Sequence, residues 1–167
     1  MPERLHPHYY TADVITDILS TGASSRLNQR LVKESRAFVQ ADAYISGSNE
    51  TGILVIEGRL AENTLPEKAE ALIREELDRL IKELVDEKEL RKAKNKMLTY
   101  MNFSDANLLN RISSLAYYEM LGDAWLINKE EAQYEAVSSE DIQEFAKQYL
   151  VASKSNTLLY LAAKKSR

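Results

Sequence analysis

Val39-Gln40-Ala41-Asp42-Ala43-Tyr44-Ile45-Ser46, followed by Gly47-Ser48-Asn49-Glu50-Thr51-Gly52 and then Ile53 to Leu60, is where the chain changes period. Val39, Ala41, Ala43 and Ile45 fall on one face and Gln40, Asp42, Tyr44 and Ser46 on the other, the alternation of a half-buried strand. Residues Gly47 to Gly52 supply turn chemistry, and Ile53 to Leu60 is rich in β-branched and apolar residues. The pair predicts an antiparallel hairpin with a loop longer than the tightest turns.

On both sides of this hairpin the period is helical. Upstream, Ala12, Val14, Ile15, Ile18 and Leu19 recur at helical spacing, and Gly22 follows where a left-handed C-cap would sit. Ser24 or Ser25 is expected to cap a second, short helix with the stripe Leu27, Leu31 and Val32, ending near Ser35. Downstream, Thr64 with Glu67 predicts a capping box ahead of Ala69, Leu72, Ile73, Leu77, Leu80, Ile81 and Leu84. Asp86 with Glu89, and Val85 stapled to Leu90, open a helix with the stripe Leu90, Ala93, Met97 and Met101. Ser104 is expected to cap a helix carrying Leu108, Leu109, Ile112, Leu115, Ala116 and Met120, ended by Gly122. A shorter segment around Trp125 to Tyr134 follows. Ser138 with Asp141, and Val137 stapled to Ile142, start a last helix that buries Ile142, Phe145, Ala146, Tyr149 and Leu150. A closing strand is expected over Thr157 to Ala162, before the basic tail Lys164-Lys165-Ser166-Arg167.

Two helices, a hairpin, a run of helices and one strand predict an α+β, two-layer fold, an antiparallel sheet with helices packed on one face. Residues 1–167 read as a single domain, with no repeat or linker. Three strands are few for so many helices, so a first strand is expected upstream of Met1.

A length of 167 residues and 44% hydrophobic content suffice for a core. Lys+Arg 22 against Asp+Glu 26, a formal charge of -4, gives no reason to expect a nucleic-acid partner. No apolar run approaches the roughly 20 residues that span a bilayer, and Met1 to Tyr10 lacks the basic and apolar regions of a secretory signal, so no membrane partner is expected. With no cysteine, disulfides and thiolate metal sites are excluded; this fits a reducing compartment such as the cytoplasm, and a periplasmic location stays open.

Chemistry has little to draw on. A hydrolytic zinc site needs three His or carboxylate ligands and an open position, with two His at i, i+4 when a helix supplies them. The two histidines, His6 and His8, flank Pro7 at i, i+2 and are read as exposed loop residues near a helix start. No Gly-x-Ser-x-Gly elbow occurs, Ser24-Ser25 reads as a cap, and the pairs Glu75/Glu76, Asp86/Glu87 and Glu130/Glu131 read as solvated helix faces. Neither metal nor catalytic residues are therefore expected. What remains is Leu31 to Val39, where Lys33 and Arg36 lead from a helix end into a strand; taken alone these cations answer the helix dipole.

His6-Pro7-His8-Tyr9-Tyr10, then Asp17 to Leu27 and Leu31-Val32-Lys33-Glu34, resembles the opening of the C-terminal half in the insulinase/pitrilysin family of zinc metallopeptidases, which includes processing-peptidase-like subunits. Glu89-Leu90 with Lys94-Asn95-Lys96, Ala116 to Glu119, Leu121-Gly122-Asp123 and Val137 to Ile142 extend the resemblance along nearly the whole chain. It implies a clamshell of two homologous α+β halves around a chamber for extended peptides. The N-terminal half would hold zinc in an inverted His-x-x-Glu-His motif, which is not found here, so the cofactor would belong to that half. The C-terminal half would supply the opposite wall, where an Arg and a Tyr reach toward the scissile peptide. Here Lys33 stands near the Arg position and Phe38 or Val39 at the Tyr position, with Arg36 beside them. Phe cannot donate the hydrogen bond a phenol gives an oxyanion.

The resemblance thus implies a non-catalytic, substrate-embracing half that works with a zinc-bearing half or partner subunit on peptide substrates, with Lys33, Arg36 and Phe38 as substrate-binding candidates. The alternative is a peptide-binding or assembly subunit of a peptidase-like protein without activity. A self-sufficient metallohydrolase would hold zinc when purified. An isolated half would expose the surface meant for its mate, so a homo-oligomer is a further expectation.

Overall fold

The computed structural model describes residues 1–47 and 49–161. Helix α1, Pro7–Ser20, begins with Pro7 in its first turn and ends at Thr21, after which Gly22 adopts φ +92°, the left-handed position anticipated for it. Its buried side carries Val14, Ile15 and Leu19, all at the centre of the core. The segment after it is wound as a π-helix, Asn28–Glu34, in which Ser35 N–H donates to Arg30 O at 3.0 Å. Leu27 and Leu31 are fully buried from it. The serine cap expected here does not form: Ser25 Oγ is buried without a partner among the described residues, and Ser24 Oγ instead faces the Lys92 amine.

Strands β1, Phe38–Gly47, and β2, Gly52–Leu60, pair antiparallel as expected, from Gly47 opposite Gly52 back to Phe38 opposite Leu60. One detail departs from the alternation. A bulge between Phe38 and Gln40 takes Val39 off the buried face, where it is 51% exposed, and puts Phe38 there with Ala41 and Ala43. The α1 helix lies against β1, which gives the two layers.

Helix α2, Pro66–Lys82, is capped by backbone geometry at Leu65 alone, because Pro66 occupies the first turn; the Thr64/Glu67 box does not close. Leu72, Leu77 and Leu80 are buried as anticipated, while Leu84 lies beyond the helix and is exposed. Helix α3, Glu87–Asp105, starts on Asp86, whose carboxylate accepts from Lys88 N–H. Glu89 does not complete a box because Arg26 holds it: Arg26 Nε and Nη2 donate to its two oxygens at 2.9 and 2.6 Å. Val85, Leu90 and Ala93 are buried, and Met97 and Met101 pack partly against the core.

Ser104 lies inside α3 rather than at a cap. Asn107 caps α4, Leu108–Met120, its side chain accepting from the N–H groups of Leu109 and Asn110. Gly122, at φ +115°, ends that segment. A 3-10 turn, Ala124–Lys129, and helix α5, Glu130–Ala136, lead to α6, Ser139–Tyr149. There the Ser138/Asp141 capping box is present in full, and Ile142, Phe145 and Ala146 are completely buried. The closing strand is not formed over Thr157 to Leu161, which are without regular structure and exposed; Ala162 lies outside the described residues. The α+β, two-layer reading holds, with two strands among the described residues.

Candidate functional site

The basic turn between the π-helix and β1 presents two of the three candidate residues to solvent. Lys33, in the last turn of the π-helix, donates its amine to Ala23 O at 2.7 Å, so its stem is fixed to the α1–π connection. Arg36 is exposed and sits at φ 52°, a left-handed position uncommon for a residue with a Cβ. Ala37 closes the turn, its N–H donating to Leu31 O at 3.1 Å and its carbonyl accepting from Ala61 N–H at 2.9 Å. Phe38 does not join the two cations at the surface. It is 5% exposed, and its ring covers Gly58 on β2 so closely that a Cβ there would fall 2.6 Å from Cδ1 and Cε1.

The histidines are not both loop residues. His6 is the N-cap of α1, its Nδ1 accepting from His8 N–H at 3.0 Å. His8 lies inside α1 and is half-buried, its ring edge-on to Phe145 and Tyr149 at 6.2 Å. A zinc ion does not fit this pair, since one Nδ1 is engaged by backbone and the other is buried beside an aromatic cluster. Among the described residues no group of three His, Cys, Asp or Glu side chains is placed to hold a metal.

A polar network that sequence reasoning missed ties the chain's beginning to its second half. Arg4 is buried, donates to Tyr118 Oη at 2.8 Å and to Glu130 Oε1 at 2.5 Å, and lies over the rings of Tyr9 and Tyr10. Nearby, Tyr134 donates to Asp13 Oδ2 at 2.7 Å. Burial pushes the Asp13 carboxyl above the usual carboxylate range, opposed by that hydrogen bond and by Arg4. A lone Arg among tyrosines far apart in sequence carries no periodic signal.

Two clefts flank the end of α3. One, of about 480 Å³, lies between Asp13 and Asp17 of α1, Tyr100 and Met101 of α3, and Tyr134 of α5. The other, of about 460 Å³, is bounded by Leu98, Arg111, Leu115 and Trp125. Beside the second cleft, α4 packs on the body through little of its surface. Leu108, Leu109, Ile112 and Met120 are 54–72% exposed: the stripe points away from the core, and Tyr118 on the opposite side is the buried residue.

The family model of the peptidase M16 inactive domain matches residues 1–97, more than half of the chain. The chain belongs to that family. The inactive peptidase domain of a candidate zinc protease from Bordetella parapertussis superposes with a TM-score of 0.90 at 22% identity, over 100% of this chain and 89% of that one. A protease from Helicobacter pylori matches with a TM-score of 0.83 at 22% identity, covering 92% of this M16 domain and 37% of the protease chain. A chain of the complex III dimer from Candida albicans gives 0.72 at 20% identity, over 88% of this chain and 37% of its own. The domain thus spans about a third of the length of the Helicobacter and Candida chains. At these identities the likeness fixes the fold, that of an M16 C-terminal half. No curated protein matches the chain.

Proposed function

We propose that this domain is the non-catalytic, substrate-embracing half of a zinc metallopeptidase, cleaving peptides only when combined with a zinc-bearing N-terminal half. One observation carries this reading: in a domain of the inactive family, Lys33 and Arg36 stand exposed on a turn whose backbone is fixed on both sides. Two cations held on a rigid turn beside a strand suit the carbonyls and carboxylates of an extended peptide. Phe38, packed over Gly58 of the hairpin, anchors the strand that follows them rather than reaching substrate. Zinc and the attacking water belong, in this reading, to the other half.

The test mixes the purified domain with its zinc-bearing half and follows cleavage of a quenched fluorescent peptide. Restored turnover, with KM raised at least several-fold by Arg36→Ala or Lys33→Ala and kcat changed less, is expected. Failure to dock, or docking without turnover, would sink it. A second reading, a peptide-binding or assembly subunit without proteolysis, is favoured by the buried Phe38, which offers no phenol to an oxyanion. Peptide binding by the complete assembly in the absence of any cleavage would decide for that alternative.

A further inference from the structure

Two features that the peptidase reading leaves unused match each other: a sheet edge without a neighbour and an apolar segment without a sheet. The sheet has two strands among the described residues, so β2 has β1 on one side and no strand on the other. Burial falls off toward that open side. Leu60 and Ile56 stand directly opposite Phe38 and Ala43 and share their face, yet Phe38 and Ala43 are buried while Leu60 and Ile56 are only partly so. Glu57 and Arg59 place charge on the second half of β2, a common guard of an edge, whereas Gly52-Ile53-Leu54-Val55-Ile56 carries neither charge nor proline. A segment of the same length, Thr157-Leu158-Leu159-Tyr160-Leu161, is equally free of both. It is fixed at its start, where Thr157 Oγ1 donates to Glu70 Oε1 at 2.9 Å, and beyond that point it stands in solvent, with Leu158 93% and Tyr160 97% exposed.

We propose that residues 157–161 add as a further strand to the open edge of β2, over residues 52–56, in a second copy of this chain, each copy donating one segment and receiving one. The occupant follows from the chain carrying donor and acceptor together: a two-fold exchange covers both edges at once and closes the assembly. The period of a strand sends Leu158 and Tyr160 to one face and Leu159 and Leu161 to the other. This half of β2 is apolar on both faces, Leu54 and Ile56 on the core side and Ile53 and Val55 on the outer side, so each face of the donor meets apolar neighbours. Main-chain hydrogen bonds along the edge then supply affinity, and no ion has to be stripped of water on either side of the joint. The segment's own sheet does not receive it, since residues 156–161 lie outside any regular structure. This exchange is independent of whatever chemistry the parent protein performs.

Sedimentation velocity and amide hydrogen exchange of the full chain, across a micromolar dilution series, test it. Wild type is expected to move toward twice the 19.0 kDa chain mass as concentration rises, with the amides of residues 157–161 and 52–56 gaining protection together. Leu159→Pro removes an amide from an exposed, irregular segment where folding is not at stake, and should weaken the dimer on the order of 100-fold. Ile53→Lys, at an exposed position of the receiving strand, should weaken it about 10-fold by guarding the edge. A wild type that stays at one-copy mass throughout, or a dimer untouched by Leu159→Pro, would overturn the proposal. So would protection of residues 157–161 that is independent of concentration, the sign that the segment joins its own sheet, or that appears only when a zinc-bearing half is added.

Discussion

Gly58→Ala should destabilise the domain through one identifiable collision, that of the new methyl with the ring of Phe38. The methyl carbon would lie 2.6 Å from two ring carbons and 3.0 Å from Gln40 O, where ordinary contact needs 3.4 Å or more. Phe38 is 5% exposed, so the ring has no free direction in which to retreat. Overpacking of this kind costs about 1–3 kcal/mol, and the backbone oxygen beside it places the change toward the upper half of that range. Phe38→Ala alone should cost about 3–5 kcal/mol for the transfer and cavity terms. In the Phe38→Ala background the ring is gone, and adding Gly58→Ala should cost no more than about 1 kcal/mol, the residue of the Gln40 contact. Equilibrium urea unfolding of the four proteins, with m held constant, measures the coupling. If Gly58→Ala costs the same in both backgrounds, or less than about 0.5 kcal/mol in the wild type, Phe38 does not pack across β2 and is free for another role.

Removing the Arg4 guanidinium by Arg4→Met leaves Glu130 and Tyr118 unpaired in a buried site and should cost about 3–5 kcal/mol, with amide exchange accelerated most in α5. Glu89→Ala breaks the two-pronged bond from Arg26 and should cost about 1.5–3 kcal/mol by denaturant titration. Asp141 is held below the usual carboxylate range chiefly by the Ser138 hydroxyl. A depressed carboxyl stabilises above its unfolded pKa of about 3.9 and loses that contribution as pH falls through the folded value, so Asp141→Asn should flatten the acid limb of the stability curve. Asp13 is shifted the other way by burial, so its contribution is present at low pH and lost as pH rises through the folded value; Asp13→Asn should gain on wild type over that window.

The hairpin was legible because period 2 is imposed by every residue of a half-buried strand, and the Ser138 box because both of its partners are local. The bulge at Val39 was not legible, since it follows from the fit of the Phe38 ring over a glycine twenty residues away. Caps failed where a distant charge competed: Glu89 reads as a box member until Arg26, far off in sequence, takes its carboxylate. The α4 stripe has proper helical spacing, but spacing says only that a face is apolar, and here that face has no core to meet. Lys33 and Arg36 became candidates through the family resemblance, since their position alone reads as cations answering a helix dipole; that Phe38 is buried over Gly58 rather than beside them depends on the pairing of strands.

The wide turn between Leu27 and Ser35 stores one surplus residue relative to a regular α-helix. Excising a single amino acid there would let the segment tighten into ordinary helix while leaving whatever follows nearly in phase, because the wide turn already absorbs the extra residue. Leu27 before it and Ala37 after it would keep their places, and the change would fall on the contact of Lys33 with the Ala23 carbonyl. Chain length at this one spot is therefore forgiving, and a one-residue deletion between these landmarks should leave the fold in place where the same deletion inside α1 would not.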